Sequence, residues 1–438
     1  MFDFAFHLGI HIECTNGILV SDVLDHYPPL PLFVNYKTRD VYPSYRTLTM
    51  QDELGICRTL RLQDRVRQIH LDLPSSILHQ ALVLMDGHFP ILERLFLSFT
   101  DATKNKNIPL ILPETFLAPN LRHLTLPHIS PQILFRFLTT TVSLSTLKLS
   151  NIQTYYIHPR LLVAHLQSLP QLEDLSIVFS APIPRPATKE ELFGEEETPV
   201  LLPNLKTFSF QGANTYLECL VAQISTPLLE QLHITLISQI ALSQPRLSHL
   251  INTTKVFKPL RLGATVSFRS DEVSVYTALR GERGFLICVR DMPLNWRVDW
   301  AAQICNALVP TLYGVEDLSL CVFTDMFGSP WEPIGIPSAI STTWQALLRS
   351  FIGVKKLRID DELAWELSWA LQAGGVSDPE FLPDLQSIVS KTNRFTSFID
   401  ARQIVGRPVR FFIFSWPPPG WERPRCPTAW SRNPFPIS

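Results

Sequence analysis

His7, His11, Glu13 and Cys14 form the densest group of potential metal ligands in the chain, and a four-residue spacing puts both imidazoles on one face if the segment is helical. Gly9 and the alternating isoleucines around it argue against a helix, so these side chains are expected to be ordinary half-buried residues and no metal site is expected. His158 and His165, seven apart on an expected helix, take the same reading. Trp365 and Trp369, one turn apart in DELAWELSWALQ, are expected to pack against the next helix. No Walker A loop, GxGxxG, GxSxG, HExxH, EF-hand loop or paired CxxC occurs, so the signatures of phosphate, dinucleotide, acyl-transfer, zinc and calcium chemistry all fail together. No catalytic residue, metal ligand or cofactor is therefore expected, and the chain does not read as an enzyme.

The elements that would position any site are set by a short apolar frame. Two residues separate its first pair of anchors and one separates its second. It reads VRQIHL from Val66, LERLFL from Leu92, LRHLTL from Leu121, LSTLKL from Leu144, LEDLSI from Leu172, LKTFSF from Leu205 and LEQLHI from Leu229. The steps between starts are 26, 29, 23, 28, 33 and 24 residues, close to the roughly 20 to 29 residues of leucine-rich repeats, whose LxxLxL core is the same frame. The frame returns as VEDLSL from Val315 and VKKLRI from Val354, and a decayed copy, LQSIVS, starts at Leu385. In LRHLTL, Leu124 and Leu126 fall on one face of a strand and His123 and Thr125 on the other.

Between frames lie segments of helical spacing. Ser75 opens SSILHQALVLMDGH, and Ser130 precedes Pro131 in SPQILFRFLTTTV as an N-cap followed by a first-turn proline. Further helices are expected at 158–169, 214–224 and 244–253. A strand and a returning helix repeated about every 25 residues bury their apolar faces only by stacking on neighbours. The expected fold is therefore α/β: an irregular leucine-rich-repeat solenoid with a curved parallel sheet inside and helices outside. A strand-rich block near 259–290 interrupts it, where Leu260, Leu262, Ala264, Val266 and Phe268 alternate and EVSVYTAL and GFLICVR follow, reading as three strands. Residues 1–63 are expected to be an N-terminal cap or remnant region, 64–410 the solenoid, and 411–438 a Pro-rich, disordered tail. Ser180 to Pro203 is expected to be a solvated surface loop.

Composition narrows the partners. The chain has 438 residues, 38 Lys and Arg against 40 Asp and Glu, and a net charge of −2, with a pI near 6.6. No overall basic field attracts nucleic acid or an anionic membrane, and neither is expected as a partner. Seven scattered cysteines, with no CxxC pair, read as reduced thiols. The N-terminus has no Lys or Arg before Lys37 and is expected to be neither a secretory signal nor a transit peptide, and no run of eighteen uncharged apolar residues occurs. A cytoplasmic or nuclear location is expected.

A solenoid's concave sheet exposes the residues that alternate with the buried leucines. The candidate row starts with Gln68 and His70, Arg94 and Phe96, His123 and Thr125, and Thr146 and Lys148. It continues through Asp174 and Ser176, Thr207 and Ser209, and Gln231 and His233, and ends on Asp317, Ser319, Lys356 and Arg358. A mixed row of small, polar and aromatic side chains on a rigid surface suits docking of a protein partner. Phe96, an aromatic expected to face outward, is the candidate anchor.

A set of ordered phrases adds to this reading: PPLPLFVNY near Pro28, DRVRQIHLDLPSS from Asp64, MDGHFPILERLFL from Met85, LPETFLAPNLRHLTL from Leu112, ISTPLLEQLHI from Ile224 and FIDARQIVGRPV from Phe398. In these phrases the chain resembles the F-box and leucine-rich-repeat proteins of mushroom-forming (basidiomycete) fungi. The resemblance implies a substrate-recognition solenoid that hands its cargo to a cullin-RING ubiquitin ligase through a Skp-type adaptor bound by an F-box. The 27 residues before Pro28 lack the LPxEIL-like helical opening of an F-box, so the adaptor contact is in doubt, and a free-standing scaffold without ligase coupling is the alternative.

Overall fold

Each frame opens on a turn. The backbone N–H of Leu92 donates to the Phe89 carbonyl, Leu121 to Ala118, Leu172 to Leu169, Leu205 to Leu202 and Leu229 to Thr226. Pro90, Pro119, Pro170, Pro203 and Pro227 fill the second position of these turns, where the fixed proline φ pre-sets the geometry. Leu144 closes the same turn on Thr141 without a proline. Asn120 and Asn204, one residue before their leucines, donate through their side-chain amides to the Pro90 and Pro170 carbonyls of the preceding turn, at 2.7 and 2.8 Å.

A computed structural model describes residues 11–20, 22, 24, 29–37, 48–100, 110–127, 129–150, 157–179, 198–237, 245–254, 263–269, 271–277, 284–291, 296–323, 337–375 and 381–413. The chain divides into two units, Met1–Leu229 and Glu230–Ser438. Both are mixed α/β, with a mostly parallel sheet and helices in the connections.

In the first unit the strands are β1 (Ile12–Thr15), β2 (Leu32–Lys37), β3 (Val66–Leu73), β4 (Arg94–Phe99), β5 (His123–Pro127), β6 (Thr146–Ser150), β7 (Asp174–Val178), the two-residue β8 (Val200–Leu201), β9 (Thr207–Gly212) and the two-residue β10 (Ile224–Ser225). All but β8 and β10 join side by side in chain order, every pair parallel. The strands β8 and β10 make a separate parallel pair. Register aligns Cys14, Val34, Ile69, Leu95, Leu124, Leu147, Leu175 and Phe208 across eight strands, and none is more than 1% exposed. Full burial of such a side chain contributes about 1.5–3 kcal/mol, so this row is a principal source of cohesion in the unit. A one-residue slip of any strand would turn its leucines to the opposite face.

The sheet begins before Val66: β1 and β2, within the segment expected to cap the repeats, pair in the same parallel sense. Helix Met50–Leu60 connects β2 to β3 and starts on a capping box in which Thr49 and Asp52 each accept from the other's backbone N–H. Asp52, almost fully buried, also accepts from the Gly17 N–H at 2.7 Å, tying the helix to the turn after β1. Helices Ser75–Val83, Pro131–Thr140, Pro159–Leu166 and Asn214–Ala222 follow β3, β5, β6 and β9. Ser75 proves to be the first helical residue, with Pro74 at the cap. Ser130 is an N-cap before Pro131 as expected, although its side chain makes no cap bond. The helix expected over 158–169 is shorter, with the His158 imidazole accepting from the Arg160 N–H as its cap.

The second unit holds β11 (Gln231–Ile237), β12 (Ala264–Phe268), β13 (Glu272–Tyr276), β14 (Gly284–Arg290), β15 (Asp317–Val322), β16 (Lys356–Ile359), β17 (Ser387–Ser390) and β18 (Arg410–Ile413). Their order in the sheet is β11-β14-β13-β12-β15-β16-β17-β18. The block expected near 259–290 is three strands, β12 to β14, and β13 runs antiparallel to both neighbours. Two reversals let β14 run parallel to β11 and β12 parallel to β15, with no helix needed at either reversal. Helices Pro245–Thr253, Arg297–Ala307, Val309–Leu312, Pro337–Leu348, Asp361–Gly375 and Thr396–Ile404 fill the connections. Trp344 is fully buried and its indole N–H donates to the Glu366 carboxylate at 2.8 Å. The part of the expected loop from 180 to 197 and the tail from 414 onward lie outside the described residues, as do Leu260 and Leu262. Among the described residues no helix is long and apolar enough to cross a membrane.

Candidate functional site: the polar strand face

Alternation along the strands of the first unit sends the apolar row to one face and polar side chains to the other. Two polar rows result. Glu13, Phe33, Gln68, Arg94, His123, Thr146, Asp174 and Thr207 are register partners in the first, and Thr15, Asn35, His70, Phe96, Thr125, Lys148, Ser176 and Ser209 in the second. The structure thus brings together every candidate residue of this unit on one face. Neighbours in a row are about 4.8 Å apart and the two rows about 6.6 Å apart. A third row of Arg67, Glu93, Arg122, Ser145, Glu173 and Lys206 leads into the strands and is held by backbone N–H to carbonyl bonds from each residue to the one before.

Most charges on this face are paired. Arg67 meets Glu93, Lys148 meets Asp174 and Lys206 meets Glu173, each at 3.0 Å. The Asn35 amide donates to Glu13 at 3.1 Å. Rings gather at one end: His11 stacks on Phe33 with centroids 3.7 Å apart, and His70 packs against Phe96 at 4.1 Å. Phe96 therefore lies on the predicted face but half-buried against a histidine, a floor more than a protruding anchor. Ser176 lies in the row but is only 8% exposed, because it is short and sits beside Lys148, whose chain leans toward Asp174 on the same strand as Ser176.

His123 sits at the middle of the face with Nδ1 3.0 Å from the Thr146 hydroxyl oxygen. Burial holds its pKa below the ordinary imidazole value, and Arg94, Arg122 and Lys148 push the same way against the opposing pull of Glu93. The neutral form of the ring is favoured, and it works as a hydrogen-bonding group.

In the second unit the candidates are more scattered. His233 is followed across the sheet by Leu286, Tyr276, Thr265, Ser319, Arg358, Val389 and Phe412. The expected succession from His233 to Ser319 and Arg358 is thus interrupted by the three-strand block, whose Leu286 and Tyr276 are larger and less polar. The next row, Thr235, Cys288, Ser274, Ser267 and Cys321, is closed in the block: Ser267 and Ser274 are buried and share a hydrogen bond of 2.6 Å. Gln231 faces Gly284, and Asp317 faces Lys356. Arg358 reaches back to Asp317 at 2.7 Å and Lys355 to Glu316 at 2.8 Å.

The metal-like N-terminal group is separated by strand alternation. Cys14 points into the apolar row, Glu13 lies on the opposite face, His11 is engaged with Phe33, and His7 lies outside the described residues. Among the described residues no three His, Cys, Asp or Glu side chains are placed to hold a metal ion. Burial pushes the thiols of Cys14, Cys305 and Cys321 up, which disfavours a nucleophilic thiolate. Trp365 and Trp369, expected to pack against the next helix, lie partly at the surface. They are 48% and 43% exposed, lie against each other at 5.7 Å, and the Arg394 guanidinium sits 4.8 Å from the Trp365 ring. No protein-family model matches this sequence, and no curated protein matches it either.

Two features of the face escaped sequence reasoning. The lead-in row was legible as the second residue of each frame, where Arg67, Glu93, Arg122, Glu173 and Lys206 recur. The contribution of β1 and β2 was legible only in the alternation of Leu32, Val34 and Tyr36, which matches no full frame.

Proposed function

We propose that the chain is a protein-protein interaction module, an irregular leucine-rich-repeat solenoid whose polar strand face docks a segment of a partner protein. The observation that carries this reading is the in-register stack of frames, Leu95, Leu124, Leu147 and Leu175 side by side on one face, with an uninterrupted double row of polar and aromatic side chains on the other. Rigid parallel strands fix those side chains at regular spacing without further ordering, which lowers the entropic cost of docking. Within this reading the chain serves as the substrate-recognition part of an F-box-type ubiquitin-ligase receptor, on the strength of the ordered phrases from Pro28 to Val409. A scaffold without ligase coupling is the second reading.

Capture of partners by the full chain tests this. Thr125→Arg on the strand face is expected to abolish recovery of a partner that the wild type and Leu161→Arg, on an exposed helix position, both retain. Equal recovery by all three would end the interaction reading for this face. A Skp-type adaptor in the wild-type complex supports the receptor role, and its consistent absence supports the scaffold.

A further inference from the structure

The pairing of charges on the strand face leaves a local surplus. Arg67, Lys148 and Lys206 each have a carboxylate at 3.0 Å. Arg94 and Arg122 have no ion-pair partner among the described residues, and both are exposed. They lie together: Arg94 is the register partner of His123 across β4 and β5, and Arg122 immediately precedes His123. Glu93, the carboxylate nearest in sequence to Arg94, is taken by Arg67. The chain as a whole carries a net charge of −2, so this cluster of unpaired cations is a local feature and not part of a basic field. Two residues along from Arg94, the Phe96 ring packs on His70 at 4.1 Å, giving a half-buried apolar floor beside the exposed guanidinium groups.

The spacing selects a shape of ligand. Side chains at positions i and i+2 of an extended strand are about 6.6 Å apart and point the same way. An extended peptide presents its own alternate side chains at that same repeat, so a carboxylate and an apolar group two residues apart meet Arg94 and Phe96 together. Arg guanidinium groups pair bidentately with carboxylates, which adds geometric selection to charge.

We propose that the β3–β5 part of this face docks an extended acidic segment of a protein, its Asp or Glu carboxylates on Arg94 and Arg122 and an apolar side chain against Phe96 and His70. The proposal rests on the interaction reading above and narrows it to one partner chemistry. Nucleic acid is the competing polyanion. Two unpaired cations on a chain of slightly negative net charge neutralise too few phosphates for it to bind well.

Fluorescence anisotropy with the full chain provides the test, using a labelled peptide of three Ser-Glu-Ser-Leu repeats, its Ser-Lys-Ser-Leu counterpart, and a short single-stranded RNA. The acidic peptide is expected to bind, and to bind less well between roughly 50 and 300 mM salt as screening grows. Arg94→Glu and Arg122→Glu are each expected to weaken it about tenfold or more, Phe96→Ala several-fold, and Arg61→Glu, at the exposed end of helix Met50–Leu60, not at all. Thermal midpoints verify that each variant is folded, and Arg94→Gln and Arg122→Gln replace any Glu variant that is not. Three results would overturn the proposal: no binding of the acidic peptide at about 1 mM, binding that survives both arginine substitutions, or tighter binding of the lysine peptide or the RNA. If the acidic peptide fails while Thr125→Arg still blocks partner capture, the face docks a different chemistry and only this proposal falls. If both fail, the interaction reading falls with it.

Discussion

His123 shows how one side chain reports on the charge of a whole face. In the unfolded chain its pKa lies near the ordinary value of about 6.5; in the fold, burial first and then Arg94 hold it lower, with Arg122 and Lys148 adding to the effect and Glu93 opposing it. As pH falls below about 6.5 the unfolded chain therefore takes up a proton before the folded one does, so this contribution to stability is present above that pH and is lost as pH descends toward the folded value. His123→Gln removes the titration while keeping a group able to hydrogen-bond Thr146. The thermal midpoint of the variant is expected to fall less steeply than that of the wild type as pH is lowered through this window, and parallel curves would show that His123 does not titrate below its ordinary range. The type of each residue was readable in the sequence, but its neighbours were not. Trp344 and Trp365 are both helical tryptophans, yet one is buried on Glu366 and the other lies at the surface under Arg394, 29 residues further along the chain. Contacts of that separation depend on how connections return to the sheet, which no local pattern encodes.

At the scale of elements, the frames were the most legible part of the chain. Each carries a period-two ending with buried apolar residues at fixed positions, and all seven opened as strands within two residues of the expected place, at β3, β4, β5, β6, β7, β9 and β11. What was missed lacks the frame. The strands β1 and β2 carry only short alternations, and helix Met50–Leu60 is marked by nothing more than Thr49 and Asp52 three apart. The turns that start each frame were visible as recurring prolines, whose role emerged only with the N–H to carbonyl bonds of the turns. One such turn, Phe351 to Val354, has Ile352 at the proline position and a glycine after it that is needed for a different reason. A Cβ on Gly353 would lie 2.3 Å from the Tyr313 backbone carbonyl oxygen, so no side chain fits unless one strand connection moves away from the next. Gly353→Ala is expected to cost about 1–3 kcal/mol, read as a lower midpoint in urea. Gly406, at φ +76 with nothing within 4 Å of a Cβ, is the contrast. Asn tolerates that backbone region, and Gly406→Asn is expected to stay within about 0.5 kcal/mol of the wild type. A midpoint for Gly353→Ala equal to that of the wild type would show that the turn has room to relax.

For the molecule as a whole, the arrangement of each sheet dictates where it loosens first. Within the first unit the strands from β1 to β9, apart from β8, follow chain order, so cohesion passes from each strand to the next, and among the described residues β1, only four residues long, pairs with β2 alone. In the second unit β18, also four residues, pairs among the described residues with β17 alone. Where stability is a sum of nearest-neighbour terms, terminal strands open at lower free energy than internal ones. Amide hydrogen exchange under native conditions is therefore expected to show the weakest protection at Ile12–Thr15 in the first unit and at Arg410–Ile413 in the second. Protection should rise strand by strand through β2 and β3 and through β17 and β16. The three-strand block offers an internal control: β13 is flanked on both sides by antiparallel partners, and Val273 and Val275 are fully buried, so its amides should exchange among the slowest of the second unit. Uniform protection from β1 through β7 would mean that the unit opens all at once, and the nearest-neighbour account, with the proposed repeat architecture that motivates it, would have to be abandoned.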